Sequence, residues 1–119
     1  MIDTAVMLKL VEECGENILV LMDGIEPQEL ARSRLTRQTV LEQVNDMARA
    51  LDSLPGPLRS AMPELDWDGW RVTASTLAQP GTPPDEDALW FAIRSLVPAT
   101  LSWLRVYRLA QPEWFVLRA

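Results

Sequence analysis

Apolar residues recur at steps of three and four positions through most of this sequence, and this spacing limits its fold more than any other feature. Such steps gather apolar side chains on one side of a helix, whereas a half-buried strand needs strict alternation. The pattern predicts long helices over about residues 3–22, 36–53, 66–79 and 85–110, and a short helix over 26–31. No segment shows the alternation of a strand. The sequence therefore predicts an all-α protein.

Proline and glycine divide the chain between these helices. Gly24 follows the first helix, the Pro-Gly-Pro of residues 55–57 follows the third, and a Pro-Gly pair stands at residues 80–81. Glycine suits a left-handed helix cap, and proline lacks the amide that a continuing helix needs. Short connections make consecutive helices antiparallel, so we expect an up-and-down four-helix bundle with short additional helices. Pro98 lies inside the last helix and is expected to kink it.

Composition narrows the class of protein. A length of 119 residues suits a single domain over residues 1–119, and an apolar content of 48% is enough to fill a core. No apolar run approaches the roughly 20 residues that span a bilayer. The N-terminus carries Asp3 and no basic leader, so it does not resemble a signal peptide. Cys14 has no second cysteine to pair with, and its helical spacing from Val11 and Ile18 predicts burial. A cytoplasmic protein with no membrane association is expected.

The sequence contains no histidine. A Ser-His-Asp or Cys-His catalytic site and a His-based zinc site are therefore excluded within this chain, and one cysteine cannot form a thiolate site. The net charge of −6 argues against a dedicated nucleic-acid-binding surface, because such surfaces are usually basic.

Arg32, Arg34 and Arg37 form the densest basic cluster in the sequence. One interpretation is a contact with a phosphate or an acidic partner, since arginine binds both through charge-assisted hydrogen bonds. The other is a solvated helix start whose arginines pair with nearby acids, and surface charges usually have no further role.

The segment Met62–Pro98 carries a characteristic arrangement of tryptophan, proline and aspartate. A proline and Trp67 enter one helix, a Pro/Gly loop follows, and Asp85 and Trp90 begin the next helix. This layout, including the interval between the two tryptophans, resembles the C-terminal half of HepT-like proteins, small helical subunits of the HEPN superfamily in prokaryotes. The N-terminal half fits the family order more weakly. The resemblance implies an HEPN-like four-helix fold, a homodimer, and a minimal nucleotidyltransferase as partner in a toxin–antitoxin system.

The residues that carry chemistry in HepT-like proteins are replaced at the matching positions of this chain. The Arg-Asn pair of the family falls on Ala74 and Ser75, its His on Gln79 and its Tyr on Gly81. The resemblance implies that the Arg and His cleave RNA without metal, and that a partner adenylylates the Tyr in some members. Ala74 carries no charge, Gln79 cannot titrate and Gly81 has no hydroxyl. We therefore expect no catalytic residue and no cofactor.

A different polar set stands near the replaced positions. Arg71 lies one helical turn before Ala74. Together with Thr73, Ser75 and Gln79 it forms a candidate polar groove for a phosphate or a peptide. The alternative is an ordinary exposed helix surface without a ligand.

Two clusters of acids allow a cation site as one interpretation. They are residues 85–87 and the alternating set Glu64, Asp66 and Asp68. Carboxylate oxygens are the ligands that magnesium prefers, but acids also accumulate at helix N-termini, where they complement the helix dipole. We favour the second interpretation and expect no metal site.

The aromatic residues also allow two interpretations. Trp67, Trp70 and Trp90 lie at core spacing. Trp103, Trp114 and Phe115 are candidate interface residues, because aromatic side chains are enriched at protein contacts and an apolar tail is rarely left exposed. Packing of the tail on its own helices and contact with a partner chain both remain open.

Two hypotheses of function follow from the sequence. The first is a catalytically degenerate HepT-like subunit that acts as a dimeric protein-interaction module, with a nucleotidyltransferase-type partner. The second is a divergent, metal-independent ribonuclease toxin that uses Arg71 and neighbouring polar groups, which would require RNA binding. Fold alone does not decide between them.

Overall fold

Two long helices pack side by side and contact each other more extensively than any other pair of elements described. In the computed structural model, which describes residues 4–78 and 86–116, helix α1 spans Thr4–Met22 and helix α3 spans Arg34–Asp52. The other elements are α2 Pro27–Arg32, α4 Gly56–Ser60, α5 Trp67–Leu77, α6 Glu86–Phe91, a π-helical segment Ala92–Leu96, α7 Val97–Ala110 and a 3₁₀ turn Pro112–Phe115. All regular structure in these residues is helical, which confirms the all-α prediction.

Side-chain and backbone caps define where the helices begin and end. The Ser33 hydroxyl accepts a hydrogen bond from the Thr36 amide at 3.3 Å, so α3 begins at Arg34 and not near Thr36 as the spacing suggested. The Asp66 carboxylate accepts from the Gly69 amide at 2.8 Å and begins α5. Each cap satisfies one of the amides that the first turn of a helix leaves unpaired. Gly24 follows α1 with a φ of 74°, as expected of a left-handed cap.

The core is one continuous cluster that draws residues from α1, α3, α5, α6 and α7. The three- and four-residue spacing predicts Leu10 and Leu21 on the buried stripe of α1, but both are exposed, and Leu8 is fully buried instead. All three lie at helical steps, and the packing of α1 against α3 and α7 decides which of them faces the core. The buried residues of α1 are Ala5, Leu8, Val11, Cys14, Gly15, Ile18 and Met22.

Gly15 of α1 lies directly against the side chain of Leu101 on α7. A Cβ atom built at Gly15 would lie 2.8 Å from Cδ2 of Leu101. The Leu101 side chain therefore occupies the space that any other residue at position 15 would fill. This contact explains why a helix interior tolerates glycine, which costs about 1 kcal/mol relative to alanine.

The last long helix is interrupted just before Pro98. The amide of Val97 donates to the carbonyl of Ala92, five residues earlier, within the π-helical segment. Proline has no amide to donate, and its ring collides with the carbonyl one turn before it. The wider π turn relieves that collision, so the disturbance expected at Pro98 takes the form of a local change in helix type.

Helix α1 contacts both α3 and α7, while α5 contacts α3 on one side and α6 with the π-helical segment on the other. The buried indole of Trp70 joins α5 to α7, because its Nε1 donates to Oγ1 of Thr100 at 2.9 Å. Within the described residues, no helix is long and apolar enough to cross a membrane.

Candidate functional site

A cleft of about 1020 Å³ opens between α3, α4 and α5. Its size falls at the upper end of the range typical of ligand pockets. The side chains that line it include three arginines, two tryptophans and two aspartates around a floor of alanine and leucine. They are Arg49, Arg59, Arg71, Trp67, Trp70, Asp52, Asp68, Ala48, Leu51, Ala74 and Ala78, together with Asn45, Gly56, Ser60 and Pro63.

One face of α5 forms the first wall of the cleft. Trp67, Arg71, Ala74 and Ala78 follow each other at steps of four, three and four residues, which places them in one row along the helix. Trp70 also borders the cleft, but it is only 3% exposed and belongs to the core, like Leu77. The small side chains at the C-terminal end of the row leave room beside the helix, and the large ones stand at its start.

The second wall comes from the last half of α3. Asn45, Ala48, Arg49 and Asp52 are again spaced at helical steps and face the cleft. Helix α4 closes one end with Arg59, which reaches back to α3. The three arginines thus come from three different helices and meet at one opening.

Each arginine of the cleft pairs with an aspartate. Arg59 lies 3.4 Å from Asp52, and Arg71 lies 3.7 Å from Asp68. These two carboxylates are 89% and 92% exposed to solvent, so they are fully hydrated. Arg49 pairs in the same way with Asp46, which stands outside the cleft. Exposed pairs of this kind contribute only about 0–1 kcal/mol, so an arriving anion can compete for the guanidinium groups.

Trp67 and Arg59 form a fixed corner at the end of the cleft. The Arg59 guanidinium lies 5.8 Å from the centroid of the Trp67 ring, within cation–π range. A hydrogen bond also holds the Trp67 indole in place, because its Nε1 donates to the Met62 carbonyl at 3.0 Å. This corner therefore presents a flat aromatic surface next to a cation.

The polar groove expected from the sequence assembles only in part. Arg71 lines the cleft together with Ala74, as their spacing predicted. Thr73 is only 4% exposed and faces the core, because two residues further along a helix the side chain points about 200° away. Ser75 is exposed but does not line the cleft. Gln79 lies outside the described residues.

The positions that match the family's motif residues are placed as follows. Ala74 is half-buried in the cleft wall, and Ser75 is exposed next to it. Gln79, Gly81 and Asp85 lie outside the described residues. Ala74, where the resemblance would place an arginine, therefore faces the same cleft that Arg71 lines.

The three candidate interface residues divide into two groups. Trp114 and Phe115 turn back onto their own chain: the Trp114 ring lies 5.9 Å from that of Tyr107, and the Arg108 guanidinium lies 4.5 Å from that of Phe115. Of the two interpretations left open for the tail, packing on its own helices is therefore the one observed for these residues. Trp103 is different, because 38% of it is exposed and its one ring contact among the described residues is with Tyr107 at 6.3 Å.

Two of the acids considered as cation ligands make other contacts. Asp66 caps α5 and Asp68 pairs with Arg71. Among the residues that the structure describes, no group of three or more acidic, cysteine or histidine side chains could hold a metal ion.

The basic cluster at the start of α3 does not form the local ion pairs that we considered. Arg37 donates to the Ala31 carbonyl at 2.6 Å. Arg32 and Arg34 are exposed, and neither has a salt bridge within residues 4–78 and 86–116. These two arginines are solvated surface residues and lie outside the cleft.

Cys14 is buried at the interface of α1 with the core, as its spacing predicted. Burial raises the pKa of the Cys14 thiol, and the negative charges of Asp46 and Glu13 add to the effect. A thiol held in its neutral form is a poor nucleophile, so Cys14 has a structural role.

Sequence reasoning missed the α3 and α4 side of the cleft. Arg49 and Asp52 share a helix face with Asn45, and that spacing was readable in the sequence. The sequence did not reveal that this face of α3 lies opposite Arg71 on α5. Helices α3 and α5 are separated in the chain by a loop and by α4, so no local spacing relates them.

Comparison of the chain with protein-family models, with curated proteins and with solved structures found no match. The resemblance to HepT-like proteins consequently rests on the residue layout alone. The role of the cleft is argued below from its geometry and charge.

Proposed function

We propose that this chain is a catalytically degenerate HepT-like subunit that acts as a dimeric protein-interaction module in the cytoplasm. Its partner is a nucleotidyltransferase-type protein of a toxin–antitoxin-like system. The proposal includes an HEPN-like arrangement in which α1, α3, α5 and the long helix from α6 to α7 form an up-and-down four-helix bundle. The layout of tryptophan, proline and aspartate over residues 62–98 supports the lineage, and the all-helical fold is consistent with it.

The single observation that carries a binding role is the cleft between α3, α4 and α5. Its exposed guanidinium groups surround an apolar floor and an indole surface. This combination suits a partner segment with an apolar face and acidic side chains at its edges, as in helix-in-groove recognition. Among the described residues, the acids that line the cleft are Asp52 and Asp68, and both are hydrated and paired with arginine. The cleft therefore offers more groups for binding an anion than for transferring a proton.

The charge of the chain favours a protein ligand over RNA. Seventeen acids against eleven basic residues produce a repulsive field for a polyanion. Nucleic-acid affinity comes largely from phosphate contacts over an extended basic surface. The three arginines of the cleft form a small local patch, which matches a few carboxylates better than a continuous phosphate backbone.

Charge reversal in the cleft tests this proposal. Tagged wild-type protein, Arg71→Glu and the control Arg34→Glu would be used in pull-downs from the native host, followed by mass spectrometry and by titration of the recovered partner. Arg34 suits the control because it is an exposed helical arginine outside the cleft. We expect wild type and Arg34→Glu to recover a nucleotidyltransferase-type protein, and Arg71→Glu to lose it.

Two results would contradict the proposal in different ways. Equal recovery with Arg71→Glu would show that the partner binds elsewhere. Recovery of no nucleotidyltransferase-type protein by the wild type would remove the partner class.

A ribonuclease toxin is the second candidate function, and one observation favours it. Arg71 lies beside the replaced motif position Ala74, and Arg49 and Arg59 share its cleft, so three cations could steady phosphate charge. Purified protein would be incubated with RNA in the presence of a metal chelator. Robust cleavage that Arg71→Ala abolishes would support the ribonuclease and overturn the degenerate module. We expect no cleavage above a buffer control.

A further inference from the structure

The outward face of α7 is apolar where a solvent-facing helix normally carries charge. Ala99, Ser102, Trp103, Val106 and Leu109 lie on this side of α7 and are exposed. Leu109 is 82% exposed and Val106 49%. A surface helix usually places charged residues opposite its core stripe. We call these five residues the α7 face.

The α7 face lies in a part of the chain that has no acidic residue. Between Ala88 and Pro112 there is no Asp or Glu, although the whole chain has 17. The three charged residues in this stretch are Arg94, Arg105 and Arg108. Arg94 stacks on the Trp90 ring at 4.8 Å, and Arg108 pairs with Glu12 and stacks on Phe115. Arg105 is exposed and has no salt bridge within the described residues.

The absence of acids bears on which partner can cover this face. The chain carries a net charge of −6, so two copies repel each other over most of their surfaces. Self-association needs a surface that adds no further acidic repulsion. The α7 face meets that condition.

The order of side chains along α7 is complementary to itself. The small residues Ala99 and Ser102 stand toward the N-terminal end, and the larger Val106 and Leu109 stand toward the C-terminal end. When two copies of α7 cross antiparallel about a two-fold axis near Leu104, Ala99 of one meets Leu109 of the other. Ser102 then meets Val106 by the same symmetry. In these two layers a larger side chain therefore faces a smaller one, as in close-packed antiparallel helices.

We propose that the α7 face pairs antiparallel with the α7 face of a second copy of this chain. In this arrangement Trp103 lies beside the two-fold axis and meets Trp103 of the second copy, which buries its exposed edge. Arg105 lies on the opposite flank and meets the second copy's Arg105. That like-charge pair weakens the contact, and salt screens it.

The expected dimer is modest in size. Helix α7 has 14 residues and is about 20 Å long, so a contact along one face buries less than the roughly 1,200–2,000 Å² of a standard-size interface. Interfaces of this area lie at the lower end of specific contacts. The dimer therefore depends on concentration and dissociates on dilution.

This inference deepens the dimer that the proposed function includes, and it is independent of the α3–α5 cleft. A failure here consequently leaves the binding test with Arg71→Glu unaffected. If the wild type dimerises through another face, only the α7 arrangement is lost.

Analytical ultracentrifugation of the full chain from low to high micromolar concentration tests the α7 face. Leu109→Glu places an acid opposite Ala99 of the second copy, and we expect the dissociation constant to rise at least ~30-fold, as for loss of a hot-spot residue. Leu35→Glu is the matched control, since Leu35 is a similarly exposed leucine (76%) on α3. Circular dichroism melts of both variants establish that each is folded.

Arg105→Ala supplies a test in the opposite direction. Removal of the facing arginines is expected to lower the dissociation constant of the dimer at low salt. Added salt should then increase the affinity of the variant less than it increases that of the wild type. A wild type that stays monomeric at all concentrations overturns the proposal. Dimerisation of Leu109→Glu equal to that of Leu35→Glu, or weaker dimerisation of Arg105→Ala at low salt, overturns the antiparallel arrangement.

Discussion

The hydrogen bond between Trp70 and Thr100 is a precise point at which to perturb the packing of α5 against α7. Trp70 is 3% exposed and Thr100 2%, and the indole Nε1 donates to the threonine Oγ1 at 2.9 Å. The change Thr100→Val keeps the shape of the side chain and removes the acceptor. It leaves a buried indole N–H without a partner in a region that water does not reach.

The magnitude follows from the cost of an unsatisfied buried donor. That cost is about 1–3 kcal/mol, and we expect a loss of about 2 kcal/mol for Thr100→Val, since valine and threonine have similar helix propensities. Unfolding entropy scales as about 2.1 cal/mol/K per residue, or roughly 250 cal/mol/K for this chain. The expected fall in Tm is therefore about 8 °C.

Thermal and urea unfolding followed by circular dichroism measure this change. Thr100→Ser is the matched control, because it keeps the hydroxyl and loses one methyl group, at a cost of about 1 kcal/mol. Trp70→Phe and the double variant complete a double-mutant cycle. The cycle isolates the pair, and we expect a coupling energy of about 1–2 kcal/mol between the two side chains.

A specific pattern would refute the reasoning. If the free energy of unfolding of Thr100→Val lies within about 0.5 kcal/mol of the wild-type value, the indole N–H finds another partner or the site is hydrated. A larger loss for Thr100→Ser than for Thr100→Val would assign the stability to packing and not to the hydrogen bond. A coupling energy near zero would lead to the same conclusion.

Three further predictions concern single buried positions. Gly15→Val should lower the free energy of unfolding, measured in urea, by about 2 kcal/mol, because the valine side chain would overlap Leu101. Adding Leu101→Ala should restore part of that free energy. An unchanged free energy of unfolding for Gly15→Val would refute the tight contact. Tyr107→Phe should unfold at the same or a higher temperature than the wild type, because the buried Tyr107 hydroxyl has no hydrogen-bond partner among the described residues. A clear drop in Tm would show that the hydroxyl does have a partner. The Cys14 thiol should react slowly with a thiol reagent in the native protein and rapidly in urea. Because burial raises the pKa of the Cys14 thiol in the folded state, the unfolded thiol loses its proton first as pH rises through the ordinary value of 9.0. The free energy of unfolding should therefore fall in that pH range. Cys14→Ala should make this pH-dependent fall smaller.

The helices were predictable because their signals are local. A helix forms its hydrogen bonds within four residues, and its apolar face repeats every three or four positions. Proline and glycine interrupt it through their own backbone properties, as Gly24 does after α1. The burial of Cys14 and the disturbance before Pro98 were expected from such local patterns. Helix ends were less predictable, since α3 was expected from about residue 36 and begins at Arg34 after the cap Ser33.

The candidate site was predictable only in part, because it depends on which helix faces meet. Arg71 was identified from its own helix, but Arg49 and Arg59 reach the cleft from α3 and α4, and no periodicity within α5 reports them. Thr73 illustrates the same limit, because it is buried although Val72 and Ser75 of the same helix are exposed.

The sequence by itself determined that this chain is helical, where its main breaks fall and which chemistry a chain without histidine cannot perform. The tertiary structure alone decided that Leu8 and not Leu10 enters the core, that Trp114 and Phe115 fold back, and that α7 keeps an apolar face outward. The reason is physical. Hydrogen bonding and side-chain period act over a few residues, whereas burial is settled by contacts between segments far apart in the chain.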